Sequence, residues 1–64
     1  MIYKDDIWIE DGWINVNGVG CIGRYLKDLK EIHFDWSMLL IIGTNKSIPC
    51  QEYEIKDKIL ELFN

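Results

Sequence analysis

The 64-residue chain contains no alanine, and its basic residues are six lysines and a single arginine. Alanine is the strongest helix former, so a chain without it is poorly suited to a bundle of helices. Eleven isoleucines and eight aromatic residues are typical of β-strands instead. A chain of this length forms one domain at most, and we expect that domain to span residues 1–64.

Other absences limit the function. No apolar run approaches the roughly 18 residues that cross a bilayer, and the first residues lack the basic and apolar segments of a secretion signal. Cys21 and Cys50 do not form a C-x-x-C motif, and without a secretion signal we expect reduced thiols rather than a disulfide. We therefore predict a cytoplasmic protein that uses no metal and no cofactor and does not contact a membrane.

The N-terminal region carries the clearest structural signal. The segments Ile7–Glu10, Trp13–Val16 and 19–22 are rich in β-branched and aromatic residues, and Asp11-Gly12 and Asn17-Gly18 separate them. Both dipeptides favour two-residue type I′ turns, so the pattern predicts a three-stranded antiparallel meander. The first hairpin should pair Ile9 with Ile14, and the second should pair Ile14 with Cys21.

Side chains alternate between the two faces of a strand, so this register sorts the residues of the meander. The predicted core face is apolar throughout and carries Ile7, Ile9, Ile14, Val16, Val19 and Cys21. The opposite face carries Trp8, Trp13 and Ile22, with Glu10, Asn15 and Gly20 between them.

The rest of the chain predicts further strands and one helix. Residues 24–26 should end the third strand, and residues 27–30 should form a turn or one short helical turn. We expect strands at 31–35, 38–42 and 47–50, with tight turns at 35–37 and 43–46 and with Pro49 placing the last strand at an edge. An apolar stripe at helical spacing, Ile55, Ile59, Leu62 and Phe63, predicts a helix over residues 52–63.

The predicted fold class is therefore α+β. A small antiparallel sheet, made of the N-terminal meander and two or three further strands, packs against one C-terminal helix. At the level of pattern, this order resembles small bacterial and phage β-rich proteins that end in one helix.

A glycine motif at residues 18–23 matches G-x-G-x-x-G and resembles a dinucleotide-binding turn. The resemblance implies a phosphate site at Gly18, Gly20 and Gly23, with Arg24 or Lys27 holding the phosphate. A small-ligand or nucleotide-sequestering protein, with a base stacked on aromatic side chains, is the alternative function. The hairpin interpretation explains Asn17-Gly18 better, because too little chain follows for the second half of a dinucleotide-binding fold.

Charged groups give weaker signals. Four acidic residues lie near the first strand: Asp5, Asp6, Glu10 and Asp11. We interpret them as a solvated edge that discourages aggregation. The alternative is an acidic patch that binds a basic partner. The net charge of −4 argues against nucleic acid as a partner and leaves mimicry of nucleic acid as a third hypothesis. His33 has one candidate neighbour, Asp35, and reads as a surface histidine, so we predict no enzyme activity.

The three tryptophans are the least ordinary feature of the chain. If the helix covers the aliphatic face, either a second layer or barrel closure must cover the indoles, or they form an interface. We predict a non-enzymatic binding protein, such as a phage or mobile-element accessory or inhibitor protein. We expect it to form a homodimer or to bind a host or cognate protein through Trp8, Trp13, Ile22 and Trp36.

Overall fold

The computed structural model describes residues 1–43 and 46–64 and confirms the predicted α+β class. Five strands form one antiparallel sheet in the order β1-β2-β3-β4-β5. The strands are β1 (Ile7–Glu10), β2 (Trp13–Val16), β3 (Gly20–Leu26), β4 (Glu31–Phe34) and β5 (Ser47–Pro49). The helices are α1 (Trp36–Ile42) and α2 (Ile55–Phe63), with 3₁₀ turns at Lys4–Asp6 and Glu52–Glu54.

The first hairpin is confirmed residue by residue. Ile7 pairs with Val16, and Ile9 pairs with Ile14. Asp11 and Gly12 both have positive φ, 51° and 85°, as a type I′ turn requires. Because this turn matches the twist of the flanking strands, the local sequence is sufficient to set the register.

The second hairpin forms, but its predicted register is wrong. Gly18 has a φ of 83° and Asn17 does not adopt positive φ, so Asn17-Gly18 is not a type I′ turn. A loop of residues 17–19 connects the strands, and the Val19 N–H donates to the Val16 carbonyl at 3.0 Å. Val16 therefore pairs with Gly20.

A β-bulge in β3 then changes which side chains face the core. Asn15 pairs with Cys21 and Ile14 pairs with Gly23, which leaves Ile22 as the extra residue. The predicted core positions Val19 and Cys21 are exposed, whereas Ile22, predicted for the opposite face, is fully buried. Ile9 keeps its predicted face but remains 39% exposed, since it lies on an edge strand.

The apolar run at residues 38–42 was predicted to be a central strand, and that prediction is wrong. The run belongs to helix α1, and Met38 is its one buried residue. The Asp35 carboxylate caps the helix by accepting hydrogen bonds from the Met38 N–H at 3.0 Å and the Ser37 hydroxyl at 2.8 Å. The predicted turn at 35–37 is thus a helix start. Of the turn predicted at 43–46, Thr44 and Asn45 lie outside the described residues.

The predicted C-terminal helix is confirmed and packs against the sheet. Ile55 and Ile59 are buried, and Leu62 and Phe63 pack against the same core. The core consists of the following buried side chains: Ile7, Ile14, Val16, Ile22, Tyr25, Ile32, Phe34, Met38, Cys50, Ile55 and Ile59.

The last two strands of the sheet also match specific predictions. β4 turns Ile32 and Phe34 inward and His33 outward, as predicted. β5 forms the second edge of the sheet and contains Pro49, which an edge strand tolerates. Within residues 1–43 and 46–64, no helix combines the length and the apolar character needed to cross a membrane.

Candidate interaction surface

The sheet has one face that no helix covers, which we call the open face. On it, none of the described side chains is buried. Leu26 and β4 belong to the same sheet as β1, so they do not fold back as a second layer, and the strand order does not close into a barrel. The open face carries Trp8, Glu10, Trp13, Asn15, Cys21, Arg24, Leu26, Glu31, His33, Ser47 and Pro49.

Two tryptophans are half-exposed at the centre of the β1–β2 half of this face. Trp8 is 46% and Trp13 is 48% exposed. Because Trp8 pairs with Asn15, Trp13 occupies the diagonal position, which is within reach of large aromatic side chains. A soluble domain normally buries most of a tryptophan on a strand, so this pair is an apolar patch that none of the described elements covers.

Arg24 belongs to the same patch, a role that the sequence did not predict. Its guanidinium lies 5.3 Å from the centroid of the Trp13 ring, because the bulge in β3 brings Arg24 directly opposite Trp13. Under the register predicted from Asn17-Gly18, Ile22 would have occupied that position. Gly18 is the third residue of a hydrogen-bonded turn over residues 16–19 and is the one residue of that turn with positive φ, as in a type II turn. A glycine at this position was the sequence signal that could have indicated the shift.

The other predicted interface residues lie elsewhere. Ile22 is fully buried and is excluded from any interface. Trp36 is 74% exposed on α1, after the end of β4 and two strands away from β2. Adjacent strands are about 4.8 Å apart, so Trp36 starts roughly 10 Å from β2 and does not join the Trp8–Trp13 pair through the sheet register. Leu40 and Ile41, also exposed on α1, were not predicted as surface residues.

His33 has a different partner from the one expected. Its Nε2 atom lies 2.5 Å from Oε1 of Glu31, which is two residues earlier on the same strand face. Asp35 does not contact His33 but caps α1 instead. The pair is partly exposed, and among residues 1–43 and 46–64 no serine or cysteine side chain is hydrogen-bonded to it.

The outer edge of β1 has unpaired backbone groups. The Tyr25 N–H donates to the Gly12 carbonyl at 2.8 Å, so the backbone hydrogen-bonding groups of Gly12 point toward β3. The backbone groups of the next residue, Trp13, therefore point toward β1. Hydrogen bonding alternates along an antiparallel pair, so Glu10 and Trp8 bond to β2, whereas Ile9 points its N–H and C=O away from it.

Ile7 has the same orientation as Ile9, with one difference. The Ile7 N–H donates to the Lys4 carbonyl of the 3₁₀ turn, so that donor is used. The edge therefore presents the carbonyls of Ile7 and Ile9 and the N–H of Ile9. In the part of the chain that the structure describes, no strand pairs with this edge.

A cleft of about 720 Å³ opens beside Ile9, between the β1–β2 turn, the β3–β4 turn and the start of α2. Its lining includes the acidic residues Asp11, Asp28 and Glu52 and the basic residue Lys27. Arg24 also lines the cleft, but its guanidinium lies over Trp13 on the open face. Lys27 already lies 3.9 Å from Glu52. Because carboxylates outnumber cations, the cleft is poorly suited to a phosphate group.

The glycine motif is divided between the two ends of β3. Gly18 and Gly20 lie at the β2–β3 loop, and Lys27 follows the opposite end of the strand, roughly 20 Å away at about 3.3 Å per residue. Gly23 is buried inside β3, and the chain continues as a strand rather than as a helix after it. The residues of the proposed phosphate site are therefore not brought together.

Both cysteines are free thiols. Cys21 is exposed on the open face, whereas Cys50 is buried, and its carbonyl accepts a hydrogen bond from the Tyr25 hydroxyl at 2.9 Å. Burial raises the pKa of Cys50 above its ordinary value, and the nearby Glu54 carboxylate adds to this effect. Burial also raises the pKa of Tyr25, with smaller contributions from Cys50 and Glu52. These two groups are held neutral and stabilise the core.

No protein-family model, no curated protein and no solved structure matches this chain. Among the described residues, no group of three or more His, Cys, Asp or Glu side chains is arranged to hold a metal ion.

Proposed function

We propose that this chain is a small non-enzymatic protein that acts through protein–protein contacts, and that the open face mediates its self-association. The observation that carries the proposal is the exposure of Trp8 and Trp13, at 46% and 48%, on a sheet face that no described element covers. Exposed aromatic side chains clustered with an arginine are typical of binding hot spots.

The exposed area sets an upper limit on the strength of the proposed dimer. Each indole leaves roughly 100 Å² accessible, and four indoles across a two-fold interface would bury about 400 Å², worth about 10 kcal/mol. Association itself costs about 4–15 kcal/mol. The net free energy of association is therefore at most about 6 kcal/mol in favour of the dimer, which corresponds to a dissociation constant of tens of micromolar or weaker.

Light scattering coupled to size-exclusion chromatography, run over a series of protein concentrations, tests the proposal. We expect the wild-type mass to rise toward that of a dimer and the variant Trp8→Ala/Trp13→Ala to remain monomeric. Trp8→Thr/Trp13→Thr, which keeps a β-branched residue in each strand, guards against simple loss of folding. A monomeric wild type at all concentrations contradicts self-association.

Trp36→Ala is the matched control, because Trp36 is more exposed than either strand tryptophan but lies on α1. We expect this variant to dimerise like the wild type. Loss of the dimer in Trp36→Ala alone would move the interface to α1 and would contradict the assignment to the open face.

A further inference from the structure

Besides the open face, the outer edge of β1 is a second unpaired surface of the sheet, since no described strand pairs with it. Proteins usually protect an edge strand with lysine, proline or a bulge. β5, the opposite edge, contains Pro49, whereas Ile7–Glu10 contains no lysine, proline or bulge, and its one charged side chain is the acidic Glu10. It instead exposes Trp8 on one face and Ile9 on the other. This edge is therefore competent to accept another strand.

The hydrogen-bonding groups on this edge have the right spacing for strand addition. The carbonyls of Ile7 and Ile9 and the N–H of Ile9 point outward, two residues apart, which is the repeat of an antiparallel or parallel ladder. A strand that pairs with them would gain main-chain hydrogen bonds without breaking a bond of the β1–β2 ladder.

The charges beside this edge disfavour a second copy in the register that joins the outward backbone groups of Ile7 and Ile9. An antiparallel β1–β1 pair that joins Ile7 to Ile9 of the other copy places Glu10 opposite Asp6 and Asp11 opposite Asp5. Like charges directly opposite each other destabilise a strand pair. The same carboxylates favour a strand that carries Lys or Arg at its ends.

Side-chain alternation extends this charge preference. A residue of the added strand next to Ile9 would project toward the cleft, whose lining includes the carboxylates of Asp11, Asp28 and Glu52. A residue next to Trp8 would lie on the open face, where a cation can stack on an indole as Arg24 does on Trp13.

We propose that the β1 edge binds an extended basic segment of a partner protein by adding it to the sheet as a sixth strand. The ligand class is a peptide with Lys or Arg flanking a short stretch of alternating β-branched residues. This binding site is separate from the self-association proposed for the open face, although Trp8 borders both surfaces.

The first test uses a blocked peptide of about eight residues with Lys and Arg at its ends and alternating Val and Thr between them, together with a twin that carries Glu in place of each base. In titrations followed by calorimetry, we expect the basic peptide to bind and the acidic twin to bind at least tenfold more weakly. Higher salt should weaken the binding of the basic peptide. No binding of the basic peptide, or equal binding of the two peptides, overturns the proposal.

The backbone contact is tested with Ile9→Pro and its matched control Ile9→Val. Proline removes the outward N–H but no bond to β2, whereas valine keeps the N–H. We expect Ile9→Pro to lose about tenfold in affinity and Ile9→Val to change it less than threefold. Equal affinities for the two variants contradict strand addition.

Hydrogen exchange on the wild-type protein avoids any dependence on the folding of Ile9→Pro. In the free protein the Ile9 amide should exchange rapidly, and bound peptide should slow it at least tenfold, whereas the Trp8 amide is already bonded to β2 and should change little. Unchanged exchange at Ile9 in a peptide-saturated sample overturns the proposal.

Asp11→Asn tests the charge contribution, because Asn-Gly retains the type I′ turn while removing a carboxylate. We expect the basic peptide to bind several-fold more weakly to Asp11→Asn and normally to Glu61→Gln, which removes an acid from α2. Equal binding to both contradicts the charge assignment. Trp13→Ala separates the two proposals, since it should abolish self-association and leave peptide binding intact.

Discussion

Replacement of Gly23 by alanine is the substitution whose effect follows most directly from the structure. A Cβ atom at this position would lie 2.9 Å from the Cα atom of Phe34 and 3.1 Å from the carbonyl carbon of His33, with the His33 carbonyl oxygen closer still. These atoms are backbone atoms of β4 and cannot rotate away. The two strands must therefore separate by about 1 Å, or β3 must change its course.

The expected cost combines two effects. Overpacking of a core position costs about 1–3 kcal/mol, and weakening two backbone hydrogen bonds of the β3–β4 ladder adds about 1 kcal/mol each. The sum, about 3–5 kcal/mol, is compared with a total stability of about 3–10 kcal/mol for a chain of this length. We therefore expect Gly23→Ala to lose at least about a third of the free energy of unfolding.

Gly18→Ala is the matched control within the same glycine motif. Gly18 has a φ of 83° but open space around its Cβ position, so alanine there costs only the strain of the left-handed backbone, about 1–2 kcal/mol. Urea denaturation followed by tryptophan fluorescence measures both variants. The reasoning is refuted if Gly23→Ala is no less stable than Gly18→Ala, because close packing of β3 on β4 would then not explain the glycine.

Three smaller predictions follow from the cap and the buried hydroxyl and thiol. Asp35→Ala removes the cap of α1 at the Met38 N–H and should cost about 1 kcal/mol in urea denaturation, and an unchanged midpoint would contradict this. The pKa values of Tyr25 and Cys50 are raised in the folded state, so stability is complete below the unfolded-state values, about 8.5 for Cys and 10 for Tyr, and falls as pH rises through the folded-state values. Thermal melts at increasing alkaline pH should show this decline, with a shallower slope in Tyr25→Phe; a midpoint independent of pH would contradict it. A thiol reagent should label Cys21 in the folded protein and Cys50 only on unfolding, which mass spectrometry distinguishes; equal labelling rates would contradict the burial of Cys50.

Short apolar runs show why part of the fold could not be predicted. Residues 38–42 contain no polar residue, so neither a period of 2.0 nor one of 3.6 can be read from them. The Asp35 side chain could serve a turn or a helix cap equally well. In the folded chain this segment is a helix, and α1 contacts β3. The Asp35 N–H also donates to the Ile22 carbonyl at 2.9 Å, and no local sequence pattern predicts this long-range hydrogen bond.

The candidate surface was predictable in part. Alternation along Ile7–Glu10 and Trp13–Val16 placed Trp8 and Trp13 on one face without any tertiary information. Their exposure was not predictable, because it depends on whether β4 extends the sheet or folds over it. The stacking of Arg24 on Trp13 depends on the bulge in β3.

The sequence by itself determined three features, because each depends on a local constraint. Positive φ at Asp11-Gly12 set the first hairpin, and the apolar stripe from Ile55 to Phe63 set the C-terminal helix. The missing N–H of Pro49 set the edge position of β5. Only the tertiary structure decided the register of β3, the helical state of α1 and the uncovered face of the sheet. Those three features depend on contacts between backbone groups and side chains that are far apart in the sequence. No single segment of the chain contains the information that sets such contacts.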